Sequence, residues 1–211
     1  MPPKTDRRHR QGDESRRAIL DATLAIAAER GYDGTTVALV TEATGLPASS
    51  IYWHFKNKDV LLAATLEHSY REWRAAAPTW SGGPDSGSLE ERIETRFQRA
   101  AAVLAGAPEF WSLGLLLTLQ HRVKEPAARR LYQKVRQDTE NVIRDWWTTV
   151  LRPDPQADDS ELAMRLARFY MMLMDGMLMH VRSSSARDTK RLVTLLATGM
   201  TRHLAAHGLA A

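Results

Sequence analysis

The sequence predicts an all-α chain of about nine helices, a small N-terminal group of three followed by a larger helical body. Apolar residues recur at helical spacing from Glu14 to Ala206, broken only at stretches rich in glycine, proline or serine. No stretch of useful length alternates apolar and polar residues as a strand does. The segment Phe169–Val181 is apolar around nearly its whole circumference, the pattern of a helix buried on more than one side.

Residues 1–13 are polar, contain Pro and Arg and lack periodicity, and are expected to form a disordered basic arm. The first helix follows over Glu14–Arg30, with Ile19, Leu20, Thr23, Leu24, Ile26 and Ala27 on one stripe and Gly31 as its stop. Thr35 or Thr36 caps a short helix, Val37–Thr44, which Gly45 ends through the positive φ that such a turn needs. Pro47 and Ser49 stand at the entry to a second short helix running to about Phe55. Asn57 is suited to cap Lys58–Ala77, where Asp59 favours the helix dipole and Pro78 closes the helix. Thr79–Ser88, TWSGGPDSGS, reads as a linker. Helices are then predicted over Leu89–Ala105, Pro108–Arg122, Pro126–Leu151, Ser160–Arg182 and Ala186–Ala206.

Length and composition narrow the function. At 211 residues the chain can bury a sizeable core, and with no cysteine it forms neither a disulfide framework nor a thiolate metal site. No secretory signal is recognised: Asp21 interrupts Ala18–Ala28 and no cleavage site follows. The longest apolar run, Phe169–Val181, contains Asp175 and His180 and falls short of the roughly 20 residues of a membrane span. No membrane partner is expected, and a cytoplasmic location is. The net charge of +4 is weak, and residues 1–60 balance nine Lys/Arg against eight Asp/Glu. Any nucleic-acid binding therefore rests on placed donors and helix ends rather than on a bulk field.

The stretch Thr35–Leu62 carries the functional signal, because two short helices joined by a glycine turn form the pattern of a DNA-reading helix-turn-helix. If Ile51 and Phe55 face the core, then Ala48, Ser49, Ser50 and Trp53 face outward, where they can read base edges. Ala48 can pack on a thymine methyl and the serines can bond to either base type. Residues 14–62 further resemble the N-terminal domain of the TetR family of transcriptional regulators. The matching parts, in order, are Glu29-Arg30-Gly31-Tyr32, Thr35-Thr36-Val37, Gly45-Leu46-Pro47, Ile51-Tyr52-x-His54-Phe55 and Lys58-Asp59-x-Leu61-Leu62. The resemblance implies phosphate contacts from Thr36, Tyr52, His54 and Lys58, residue types that are good phosphate donors. One departure is Thr41, where the family usually places a small Ala four residues before the turn glycine; its hydroxyl must be fitted or bonded locally.

The resemblance also implies a helix-turn-helix domain over 14–60, an effector-binding and dimerisation domain over 61–211, and a homodimer on a double-stranded, palindromic DNA operator. Expected walls for a small apolar or aromatic effector are Phe97, Leu104, Trp111, Leu115, Trp146, Phe169, Tyr170, Leu173 and Met177, with His121 and Asp175 among the orienting polar groups. An ordinary packed core is the alternative reading of those stripes. The last two helices are assigned to the dimer interface through Met172, Gly176, Met179, Leu192, Leu196 and Gly199. The expected function is a repressor released by ligand; the alternatives are a DNA-bound regulator without a small ligand, or an all-helical enzyme. The enzyme reading lacks support, because a di-metal bundle needs Glu-x-x-His and none occurs. No cofactor and no metal are expected: His203 and His207 stand at i and i+4 but near a terminus, as surface residues do.

Overall fold

The computed structural model describes residues 4–76, 86–106, 109–119, 126–151 and 159–209, and these are helical almost throughout. The helices are α1 (Lys4–Gly34), α2 (Val37–Thr44), α3 (Ala48–His54), α4 (Lys58–Ala76), α5 (Leu89–Gly106), α6 (Glu109–Leu119), α7 (Pro126–Val150), α8 (Asp159–His180) and α9 (Ala186–Ala206). No strand occurs among the described residues, and none of their helices alone is long and apolar enough to cross a membrane.

The start of α1 corrects the sequence-based expectation. The chain is helical from Lys4, not from Glu14, so most of the predicted disordered arm is helix. Arg, Gln and Glu are good helix formers, and Gly12 costs only about 1 kcal/mol relative to Ala. The end of α1 follows the prediction in substance, since Gly31 breaks the helical path at φ 68°. Capping explains several other ends. Ser88 Oγ accepts from the Glu91 amide at 3.2 Å while Glu91 accepts from the Ser88 amide at 2.8 Å, a reciprocal box that starts α5. The Ser88 amide first, and then the Ser88 hydroxyl, which donates to the same carboxylate oxygen at 3.1 Å, hold the Glu91 carboxyl pKa below its ordinary value. Ser185 accepts from the Asp188 amide at 3.1 Å and starts α9.

The chain forms two compact units, Met1–Trp73 with Glu109–Gln133, and Arg74–Pro108 with Lys134–Ala211. In the first, Ile19, Leu20, Val40, Ile51, Phe55 and Leu61 make a buried cluster supported by Ile26, Val37, Leu46 and Ala64. Each such side chain contributes roughly 1.5–3 kcal/mol of burial, so α1 to α4 hold together through this cluster. Tyr70, Trp73, Phe110, Trp111 and Tyr132 form an aromatic group in the same unit. In the second unit, α5 packs on α8 and α9 through buried Ile93, Phe97, Ala101 and Leu104. Polar cross-links accompany this packing: Thr194 and Thr198 donate to Glu94 and Glu90 at 2.7 and 2.6 Å. Arg136 grips both oxygens of Asp175 at 2.7 and 2.9 Å, joining α7 to α8.

Candidate nucleic-acid interface

The surface around α3 is shaped by two residues that face away from it. Ile51 and Phe55 are 1% and 2% exposed, so the helix is pinned by its inner side. Tyr52 and Trp53 are consequently turned out, 55% and 78% exposed. Ala48 and Ser49 are exposed as well, and Ser50 and His54 are half-buried at the edges of that face. Gly45, at φ 67° and ψ 4°, makes the turn into α3, and its amide bonds the Thr41 carbonyl at 2.9 Å. No side chain caps α3, because Pro47 occupies its N-cap position.

The flanking helix starts carry the remaining polar groups. Thr36, not Thr35, caps α2, accepting from the Leu39 amide at 3.3 Å. Thr35 is buried and donates to the Gly31 carbonyl at 2.7 Å. Asn57 caps α4 by accepting from the Val60 amide at 2.8 Å. Lys58 lies 4.5 Å from the centroid of the Tyr32 ring and donates to the Asp33 carbonyl at 3.5 Å. The Tyr32 hydroxyl in turn donates to Asp59. The Lys58 ammonium is thus held beside the start of α4, where the helix dipole also favours an anion.

Electrostatics at the edge of α3 are specific. Burial first, and then the nearby Arg16 guanidinium, pull the His54 imidazole below its ordinary value. Both effects favour the neutral form of His54, whose ring N–H can still donate a hydrogen bond. Arg16 lies 5.3 Å from the centroid of the Phe55 ring and adds a cation that the sequence reading did not place here. Tyr32 was recognised in the motif but not as the brace for Lys58; no periodicity signals that pairing. At Thr41 the hydroxyl is buried without a hydrogen-bond partner, so of the two expectations it is fitted into the packing rather than bonded locally.

The expected effector and interface residues are distributed as follows. Trp111 and Leu115 belong to the first unit, and Trp111 is buried within its aromatic group. Phe97, Leu104, Trp146, Tyr170, Leu173 and Met177 belong to the second. There Phe97 and Tyr170 pair at 4.6 Å, and the Arg96 guanidinium lies 4.2 Å from the Trp146 ring centroid. Phe169 is 38% exposed and lies one turn from exposed Met172, which fits an outer face better than an interior wall. Asp175 is engaged by Arg136, which removes it from the ligand-orienting set. His121 lies outside the described residues. Met172, Gly176, Met179, Leu192 and Gly199 are exposed, whereas Leu196 is half-buried and its neighbour Leu195 takes the exposed position.

A family model described as bacterial regulatory proteins, tetR family, matches residues 19–65, the segment that holds this surface. The chain is 30% identical over 190 residues to the HTH-type transcriptional regulator BetI of Burkholderia mallei, covering 86% of this chain and 90% of that protein. It is similar to the crystal structure of a TetR transcriptional regulator from Chloroflexus aurantiacus, with TM-score 0.70 and 25% identity over 91% of this chain and 96% of the other. AibR, solved in complex with isovaleryl coenzyme A and operator DNA, shares the fold at TM-score 0.61 and 16% identity, over 85% of this chain and 96% of its own. These relatives are regulators of transcription and not enzymes, and the helix-turn-helix described above is the element the family model recognises. On these grounds the chain belongs to the TetR family of helix-turn-helix transcriptional regulators.

Proposed function

We propose that this regulator binds a palindromic operator as a homodimer, acts as a repressor, and is released by a small apolar or aromatic ligand. The observation that carries the DNA-binding face is the outward display of Tyr52 and Trp53 on a helix pinned by Ile51 and Phe55. In this reading Ala48, Ser49, Ser50 and Trp53 meet base edges, and Thr36, Tyr52, His54 and Lys58 meet phosphates. Neither Arg nor Asn stands in α3 to make bidentate base contacts, so each residue discriminates modestly. Specificity then depends on the spacing of the two recognition helices, about 34–36 Å for successive major grooves.

The ligand is assigned to the second unit, among Phe97, Leu104, Trp146 and Tyr170, with Leu173 and Met177 as adaptable walls. AibR, which shares this fold, is solved with isovaleryl coenzyme A, a molecule with a short apolar acyl end on a phosphate-bearing nucleotide, which supports a small-molecule effector for this chain. Release follows if the ligand prefers a state in which α4 is tilted, because α4 runs from the first unit into the second along the chain. The close Phe97–Tyr170 and Arg96–Trp146 packing favours a second reading, a regulator with a filled interior and no small ligand.

Fluorescence anisotropy on DNA from the chain's own upstream region tests the central reading. The expected result is salt-dependent binding that prefers a palindrome over scrambled DNA. Lys58→Ala should weaken binding to all sequences and reduce the salt slope by about one unit. Absence of palindrome preference, or a Lys58→Ala effect confined to certain base positions, rejects the assignment. Loss of DNA binding on adding apolar carboxylates or acyl thioesters separates the ligand-gated reading from the ligand-free one.

A further inference from the structure

In the first unit, three side chains with metal-binding chemistry converge from α1 and α4. His68 and Glu72 are one turn apart on α4 and share a face, and Asp21 reaches them from α1. Their ligand atoms all lie within 4.8 Å of one another. We propose that Asp21, His68 and Glu72 form a binding site for a first-row divalent transition metal of the zinc class.

Distances carry the assignment. His68 Nε2 is 2.8 Å from Asp21 Oδ1 and 3.5 Å from Glu72 Oε1. Bonds of about 2.0–2.1 Å in tetrahedral zinc place neighbouring donor atoms roughly 3.4 Å apart. The two separations bracket that value and the third, between the Asp21 and Glu72 carboxylates, is within 4.8 Å, so rotation of the two exposed carboxylates is what brings the three donors to zinc-ligating spacing. Both supporting elements are helices with a shared core, which fixes the donors better than a loop does. His68 is the anchored member, with its side chain 18% exposed, whereas the Asp21 and Glu72 side chains are 51% and 50% exposed and leave room for a bound water.

Charge and ligand type narrow the metal. Two carboxylates with a neutral imidazole give a site of net charge −2, matched to a divalent cation. One imidazole nitrogen selects against Mg and Ca, which take oxygen ligands, and suits Zn, Ni, Cu or Fe. Arg17 is the natural competitor. Its guanidinium lies 3.9 Å from Asp21 and 3.6 Å from Glu72, and its 70% exposed side chain is free to swing into solvent. A metal in this position replaces Arg17 as counter-charge and pins α1 to α4. Metal binding itself does not depend on the DNA-binding reading; any effect on operator release does.

Calorimetric titration of zinc chloride into the full-length protein, in a His203→Ala/His207→Ala background, tests the site. That background removes the other close histidine pair, whose ring centroids are 4.4 Å apart. One zinc per chain is expected, with no heat from magnesium. Asp21→Asn keeps an oxygen that can accept from His68 but loses the carboxylate, so zinc affinity should fall by at least about tenfold while the metal-free melting temperature stays put. Arg17→Ala should tighten zinc binding severalfold. A hydrogen-bonded cluster with no metal function predicts no zinc heat that depends on Asp21 or Arg17. Absence of zinc binding, unchanged affinity in Asp21→Asn, or weaker affinity in Arg17→Ala overturns the proposal.

Discussion

Thr41 sits on α2 four residues before the turn glycine, and its hydroxyl is shut away from solvent without a hydrogen-bond partner. A buried hydroxyl left unbonded costs about 1–3 kcal/mol, and Thr is also a poorer helix former than Ala by roughly half a kcal/mol. Against this stands the γ-methyl, whose burial is worth about 0.8 kcal/mol. The balance favours removal: Thr41→Ala should stabilise the protein by about 1 kcal/mol, read as a higher midpoint in urea unfolding. Thr41→Val, which keeps the bulk and drops the hydroxyl, should also raise the midpoint. If both variants unfold earlier than the parent, the hydroxyl has a partner that this packing does not reveal. The neighbouring Lys58 illustrates the opposite case, a polar group well provided for: the Tyr32 ring and the Asp33 carbonyl hold it, and the Tyr32–Asp59 bond braces both.

At the scale of helices, the breaks that carry their own chemistry were legible and those set by partners were not. The bounds of α9 follow from Ser185 as N-cap and from Gly208, at φ 69°, just past its end. The start of α2 follows from Thr36 and its end from Gly45. The start of α1 was misplaced because a polar segment without apolar periodicity reads as coil, although its residues favour helix. The outward face of α3 was deducible because Ile51 and Phe55 are four residues apart, whereas the meeting of Asp21 with His68, 47 residues away, was not. Periodicity gives a residue its face on a helix but not the helix it faces. Gly114 is another such case: it is buried in α6, and a Cβ there would overlap the Tyr132 ring on α7. Gly114→Ala should therefore cost about 1–3 kcal/mol by overpacking, even though Ala is the better helix former. Pairing it with Tyr132→Leu, which vacates part of that space, should recover some of the loss in a double-mutant cycle. Strictly additive effects of the two substitutions contradict the contact.

For the molecule as a whole, the second unit displays several large apolar side chains to solvent on its last two helices. Phe169, Met172 and Met179 on α8, with Leu192 and Leu195 on α9, are between 38% and 68% exposed. Gly176 and Gly199 lie among them, and a Cβ at either position meets nothing within 4 Å. Small residues flanked by large exposed apolar ones let a second pair of helices approach closely, the arrangement of a self-complementary interface about a two-fold axis. Family members act as dimers, and a dimer gives a palindrome two linked contacts: once one half-site is bound, the other sees an effective concentration set by the protein's own geometry. Separating the subunits should therefore lower palindrome affinity far more than half-site affinity. Met172→Lys combined with Leu195→Lys places two charges where the partner's apolar surface is expected and should shift sedimentation from dimer to monomer. Helical circular dichroism should be retained, and palindrome binding should fall by at least tenfold, or about 1.4 kcal/mol, with half-site binding little changed. A variant that remains dimeric would put the interface elsewhere on the molecule, and a monomer that still binds the palindrome as tightly would remove dimer spacing as the source of specificity.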